Sequence, residues 1–227
     1  VMSKDVIICI GTIGSATFDK CLSSVDRIVK KNNRVSKVAI IRDRRPQSAW
    51  LNQMRSESSG MKWCLQVDED MYLYPNALDE LLKFAEDEMR RGVKILNASS
   101  LLYDLFLESN IGSLKLWNVD VFKNLEFRDI LGGDRDFAKR ASSFGFKNIE
   151  TSIVLGDHDS APTPAVAFKK YFEYTQKIKK FSGDESAINF NRFLKKKWLS
   201  TNDYISKKAY DGSSLGIRSK INNKSKR

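Results

Sequence analysis

The run Trp63-Cys64-Leu65-Gln66-Val67 ends abruptly in Asp68-Glu69-Asp70. The run is short and apolar and follows Gly60, which predicts a buried strand. Side chains alternate along a strand, so Asp68 and Asp70 point to one side and Glu69 to the other. Two carboxylates converging at the carboxyl end of a buried strand suit a hard divalent cation. Magnesium and manganese usually take one or two protein carboxylates and leave other positions to waters and phosphate oxygens. The competing reading is an acidic turn that closes the strand and caps the next helix. Two more places carry titratable groups in a patterned setting. Gly132-Gly133-Asp134-Arg135-Asp136 puts two carboxylates behind a glycine pair, where they could equally cap the following helix. His158, the sole histidine, lies between Asp157 and Asp159 and could equally be a surface-loop residue.

The elements that must position these groups alternate in type. Val6 to Ile10 is an apolar strand closed by Gly11-Thr12-Ile13-Gly14-Ser15. Its two glycines permit close backbone approach to a ligand, but the G-x-G-x-x-G dinucleotide fingerprint is missing. Residues 17–31 have helical spacing, with Phe18, Cys21, Leu22, Val25, Ile28 and Val29 on one face. Val35 to Ile41 forms a second strand that runs into Arg42-Asp43, and residues 47–58 suit a short helix. Strand, helix, strand, helix, strand argues for an α/β fold with a mostly parallel sheet and helices on both faces. In such sheets ligands bind beyond the carboxyl ends of the strands. Gly11-Thr12, Asp43 and Asp68/Asp70 all sit at those ends.

Further along, a helix begins near Pro75, with acidic residues in its first turns. Strands are expected at Val93 to Ala98, Ser113 to Val121 and Ile149 to Leu155, with a helix from Ala138 to Phe144 that Gly145 ends. Residues 165–181 and 184–199 read as two lysine-rich helices, the first carrying the stripe Phe168, Tyr171, Phe172, Thr175, Ile178, Phe181. The stretch from Ser213, rich in Ser, Asn and Lys, is expected to be a flexible tail.

The net charge of +11 is unevenly spread over the 227 residues. From residue 165 onward there are 16 Lys and Arg against 5 Asp and Glu, whereas the first 164 residues hold 23 of each sign. The expected organisation is therefore a neutral catalytic domain over 1–164, a basic helical segment over 165–212 that packs on it, and a tail over 213–227. A dense lysine face favours an anionic partner, and a peripheral contact with an anionic membrane is expected of it, against a merely solvated face. No apolar stretch approaches the roughly 20 residues that span a bilayer. The opening residues are too short and too soon acidic for a secretory signal. Cys9, Cys21 and Cys64 lie in apolar surroundings without metal-type spacing and read as buried, reduced thiols of a cytoplasmic protein.

Roughly residues 5–160 resemble the nucleotide-sugar-dependent glycosyltransferases of the GT-A fold. The resemblance rests on an ordered set: the Val6–Ile10 strand with its Gly-Thr loop, the second strand ending at Asp43, the Leu-Gln-Val-Asp-Glu-Asp strand end, and Gly-Gly-Asp-Arg-Asp-Phe followed by Arg140 and Gly145. Gly132-Gly133-Asp134-Arg135-Asp136 looks like the Gly-Gly-Glu-Asp-Asp stretch of inverting galactosyltransferases. It looks equally like the Glu-Asp stretch of the large inverting family that includes cellulose and chitin synthases. His158 sits where galactosyltransferase-type enzymes place a third metal ligand. The resemblance implies Mn2+ or Mg2+ and a UDP-sugar donor, with a glycan, a lipid-linked molecule or a protein as acceptor. Asp68 would bind the ribose or help with the metal, and Asp70 and His158 would ligate it. Asp134 or Asp136 would take the proton of the acceptor hydroxyl, with Asp134 favoured because it directly follows the glycine pair. Thr12 and Asp43 would contact the nucleoside. Arg55 is a candidate for the diphosphate, against a solvated or salt-bridged role. The processive synthases' Gln-x-x-Arg-Trp signature and membrane helices are absent, so a single addition is expected, while the resemblance to inverting families implies inversion.

Two other enzyme classes compete. A sugar nucleotidyltransferase would need a longer Gly-rich loop with Arg and a Pro-Lys pair after the first strand, which Gly11 to Ser15 lacks. A metal-dependent nuclease or phosphotransfer enzyme would interleave basic and acidic residues, whereas here the basic ones gather near the C-terminus, which disfavours nucleic acid. A catalytically silent binding module stays open.

Overall fold

The computed structural model describes residues 4–221. The chain divides into two compact units, the first built from residues up to Asp129 with Gly133–Asp159, the second from Ser160 onward with Ile130–Gly132.

The first unit is built in the order β1 (Val6–Thr12), α1 (Phe18–Lys31), β2 (Val35–Arg42), α2 (Gln47–Glu57), β3 (Trp63–Asp68), β4 (Met71–Leu73), α3 (Ala77–Arg90), β5 (Ile95–Asp104), β6 (Ser109–Asn118), α4 (Gly133–Ser142) and β7 (Lys147–His158). A short 3-10 turn follows β6 at Val119–Lys123. The strands form one sheet in the order β2-β1-β3-β6-β5-β7-β4. The expected alternation holds through β3: β1 pairs in parallel with both β2 and β3. Beyond β3 the sheet is mixed, since β6 runs antiparallel to β3 and β5, and β4 antiparallel to β7. Only β5 and β7 restore a parallel pairing in that half.

Strand parity sorts the core onto two faces. Val6, Ile8, Ile10, Leu65 and Val67 face Cys21, Val25 and Ile28 of α1 and Leu78 and Leu81 of α3. Ile7, Cys9 and Cys64 face the other way, onto Trp50 and Met54 of α2 and the aromatic group Trp117, Phe122, Phe127 and Phe137. Phe127 and Phe137 stack with centroids 4.1 Å apart, and Trp117 meets both edge-on. Trp117 Nε1 donates to Gln66 Oε1 at 2.9 Å, so its polar end is satisfied inside the core. All three cysteines are buried free thiols.

In the second unit the two expected helices are the halves of α5 (Pro164–Thr201), which is broken at Gly183, where φ is 87° and ψ is 171°. Its N-terminus is capped by Thr163, whose hydroxyl accepts from Val166 N. Helix α6 (Tyr204–Arg218) follows, capped by Asp203, which accepts from Ser206 N at 2.8 Å. The expectation of a tail from Ser213 is corrected here, because 213–218 are helical and Ser213 and Gly216 are buried. Composition misled because small residues are what this contact requires: a Cβ on Gly212 would collide with the Phe168 carbonyl oxygen of α5. Ser213 accepts from Thr175 Oγ1, and Gln176 donates to the Gly216 carbonyl. Residues 222–227 of the expected tail lie outside the described residues.

Candidate active site at the carboxyl edge of the sheet

Pairing in register brings the carboxyl ends of β1, β2 and β3 together. Gly11 lies opposite Asp68, Thr12 opposite Arg42, and Asp43 N donates to the Thr12 carbonyl at 3.0 Å. Asp43 is exposed there with φ of 54°, a left-handed conformation that Asp tolerates better than most side chains. The chain turns after Asp68, and the three acidic residues then separate by direction.

Glu69 points to the α1 side, as strand parity requires. Its Oε2 accepts from Thr12 Oγ1, from Ile13 N at 3.2 Å and from Ser15 N at 3.0 Å. It thereby closes the β1–α1 loop on itself. Thr12 is only 5% exposed, and its hydroxyl donates to Glu69 within this loop.

Asp70 is brought to His158. Met71 of β4 pairs with His158 of β7, and Asp159 N donates to the Asp70 carbonyl at 2.8 Å. His158 Nε2 stands 3.3 Å from Asp70 Oδ2. His158 Nδ1 meets Asp104 Oδ2 at 2.8 Å, and Asp104 is 1% exposed at the end of β5. Tyr72 donates to Asp159 at 2.9 Å and Tyr74 to Asp157 at 3.1 Å, so phenol groups brace the acidic residues on both sides of the histidine. The Cys21 thiol lies beneath this edge with its Sγ 3.5 Å from the Asp68 carbonyl. Burial, and then the carboxylates of Asp70, Asp68 and Glu69, push its pKa up to about 12.

The Asp70–His158 pair fits a divalent cation as part of a ligand set. Two ligands at right angles on an ion with bonds of about 2.1 Å lie about 3.0 Å apart, close to the observed spacing. Among the described residues no group of three or more His, Cys, Asp or Glu side chains is placed to hold a metal. A two-ligand site suits an ion whose remaining positions go to phosphate oxygens and water.

The pair behind the glycines divides into two roles. Asp136 accepts from Arg140 Nε at 2.8 Å and lies 3.7 Å from Arg128, while Arg140 also donates to the Glu126 carbonyl. These contacts tie α4 to the segment before it. Asp134, in the first turn of α4, is 42% exposed and accepts from Lys115 Nζ at 3.0 Å. Lys115 on β6 lies opposite Gln66 on β3, and cross-strand partners share a face. Gln66 and Asp68 are two residues apart on β3, so Asp68 and the Lys115–Asp134 pair belong to the same face of the sheet. Arg55 is not part of this group. Its guanidinium donates to the Phe122 carbonyl at 3.1 Å and to Glu126 at 2.8 Å, which makes it a strut for the segment after β6.

Sequence reasoning missed Asp104 and Lys115. Asp104 closes an expected strand region that was ended six residues short, at Ala98. Lys115 sits on a strand whose antiparallel register with β3 has no local signal.

Comparison with protein-family profiles and with curated protein sequences finds no match. Solved structures do match in fold. A mannosyltransferase from Pyrobaculum calidifontis, solved with GDP-Man and Mn2+, superimposes with a TM-score of 0.62 over 94% of this chain and 86% of its own, at 11% identity. Glucosyl-3-phosphoglycerate synthase from Mycobacterium tuberculosis, solved with Mg2+ and UDP, has a TM-score of 0.52 over 77% of this chain and 78% of its own, at 9% identity. TarS from S. aureus gives 0.50 over 96% and 90%, at 12% identity. The fold of this chain is that of GT-A nucleotide-sugar glycosyltransferases.

Proposed function

From that fold, we propose that the chain is a metal-dependent glycosyltransferase that moves a hexosyl group from a nucleoside-diphosphate sugar, UDP-linked, to an acceptor hydroxyl in a single inverting step. The observation that carries this reading is the Asp70–His158 pair, spaced 3.3 Å apart at the carboxyl edge of a GT-A sheet. Asp70 and His158 would hold the cation, and Asp43 and Asp68 would contact the nucleoside and ribose. When bound, a divalent cation neutralises the charge that builds on the departing diphosphate. Asp134 accepts the proton of the acceptor hydroxyl as its oxygen bonds to the anomeric carbon and the carbon–diphosphate bond breaks. Lys115 orients the Asp134 carboxylate for that task. Asp136 is held by two arginines and serves α4 instead.

The acceptor is proposed to be anionic or to lie at an anionic surface. In the second unit Lys195 and Lys196 are exposed on α5, one to two turns before the helix turn. Leu199 and Tyr204, exposed to 65% and 61%, flank that turn. Basic side chains beside exposed apolar ones suit an interfacial contact with acidic lipid headgroups. No helix among the described residues is long and apolar enough to cross a membrane.

The test is nucleotide release from a panel of UDP- and GDP-sugars, with Mn2+ and after chelation. Metal-dependent release that Asp70→Ala abolishes without unfolding the protein is the expected result. Release that survives chelation, or normal turnover by Asp70→Ala, would remove the cation from the reading. A product with retained anomeric configuration would remove inversion.

A further inference from the structure

A carboxylate with 1% exposure must have its oxygens satisfied, or burial would be very costly. Asp104 assigns its two oxygens to different partners. Oδ1 accepts from Phe106 N at 3.0 Å and Leu107 N at 2.7 Å, which shapes the turn after β5. Oδ2 faces His158 Nδ1 at 2.8 Å. The two residues are opposite one another in the parallel pairing of β5 and β7, and Leu105 N donates to the His158 carbonyl at 3.0 Å. Backbone pairing thus fixes both side chains at their origins. The turn alone would need only Oδ1; the second oxygen is committed to the ring.

An ionised carboxylate only accepts, so Nδ1 carries the hydrogen of this contact. A neutral imidazole has one N–H, so Nε2 then bears a lone pair. That atom is the one 3.3 Å from Asp70 Oδ2. We propose that Asp104 is a positioning residue: it fixes the Nδ1–H tautomer of His158 and so presents the Nε2 lone pair beside Asp70 for a cation. The inference rests on the proposed cation reading of Asp70 and His158. Outer partners of this kind are worth roughly 10–100-fold in metal affinity.

The discriminating variant is Asp104→Asn. The amide oxygen must stay with the two backbone N–H groups, so the amide NH2 turns to the ring and donates to Nδ1. The hydrogen then moves to Nε2, where it blocks a cation. Because the chain has a single histidine, 15N-histidine labelling gives one set of ring resonances. Metal-free wild type at mildly alkaline pH should show a protonated Nδ1 and an unprotonated Nε2, and Asp104→Asn should show the reverse. Mn2+ affinity, read from the free-ion EPR signal without any donor, should fall at least about tenfold in the variant, which a thermal melt checks for folding. A wild-type ring protonated at Nε2 alone overturns the proposal with no variant needed. So does an Asn variant that keeps the wild-type tautomer. A reversed tautomer with unchanged Mn2+ affinity overturns the link from the ring to the cation. Wild type that binds no Mn2+ refutes the cation reading itself, and the ring signals then judge Asp104's hold on the tautomer separately.

Discussion

Glu69→Gln tests whether the middle carboxylate of the acidic run is structural. One oxygen of Glu69 collects a hydroxyl and two backbone amides of the β1–α1 loop. Glutamine keeps an accepting oxygen of the same reach and removes the charge. A hydrogen bond to a charged group contributes roughly 1.5–3 kcal/mol and a neutral one roughly 0.5–1.5 kcal/mol. Each contact therefore weakens by something under the full difference, since the Ile13 contact is exposed and the others are part-buried. The expected loss for the set is about 1–2 kcal/mol, and Glu69→Ala should lose about 2–3 kcal/mol. The assay is urea unfolding followed by tryptophan fluorescence, which is dominated by Trp50, Trp63 and Trp117 of the first unit. UDP titration in parallel should show up to about tenfold weaker binding for Gln if the loop must be closed to hold the nucleotide. A Gln variant within about 0.5 kcal/mol of wild type, the range of an ordinary surface substitution, would refute the structural role.

Four other outcomes follow from features already described. Asp134→Asn should lower transfer by roughly 100-fold or more with UDP affinity nearly kept, the scale of general-base catalysis, and a product assay beside a UDP titration checks both. Asp136→Asn should instead lower the melting temperature, because it loosens Arg140 and Arg128. Asp203→Ala should cost about 1 kcal/mol as a lost helix cap. Burial opposes charge on Asp203, but hydrogen bonds from Ser206 and Thr201 outweigh it and hold its pKa at about 2. A depressed folded pKa means this stabilisation is present at neutral pH and is lost as pH falls from the ordinary carboxylate range through about 2, so the difference between wild type and Asp203→Ala in unfolding should shrink over that window. Sedimentation with anionic but not neutral vesicles, weakened by salt and by replacing Lys195, Lys196 and Lys197 with Gln, is expected of the second unit; no sedimentation even at low salt would remove the surface contact.

Much of this was legible because it rests on local periodicity. The alternation of strand and helix through β3 and the opposed directions of Asp68 and Glu69 follow from periods of 3.6 and 2 within short windows. What was not legible rests on register between distant segments. Asp104 matters only because β5 and β7 align it with His158, 54 positions away. Lys115 finds Asp134 only because β6 returns antiparallel beside β3. Strand β4, three residues long, is too short to carry a pattern. For Thr12 and Arg55 a loop role and a salt-bridged role stand beside contact with a ligand in the sequence, and nothing local names Glu69 or the Phe122–Glu126 segment as their partners.

The three cysteines give the molecule a built-in reporter of its own opening. Each has no exposed surface, and all lie in the first unit. A thiol reagent needs access and a thiolate; the fold denies access to all three, and it also disfavours two of the thiolates, since burial raises Cys21 and the Cys64 contact and burial raise Cys9. Modification must therefore wait for transient opening, and its rate measures how often the sheet exposes each strand. Cys9 and Cys64 time the breathing of the central strands, and Cys21 times the loosening of α1 beneath the acidic edge. The helical second unit holds no cysteine and leaves no trace in such a clock, so thiol modification times the first unit alone in the intact chain.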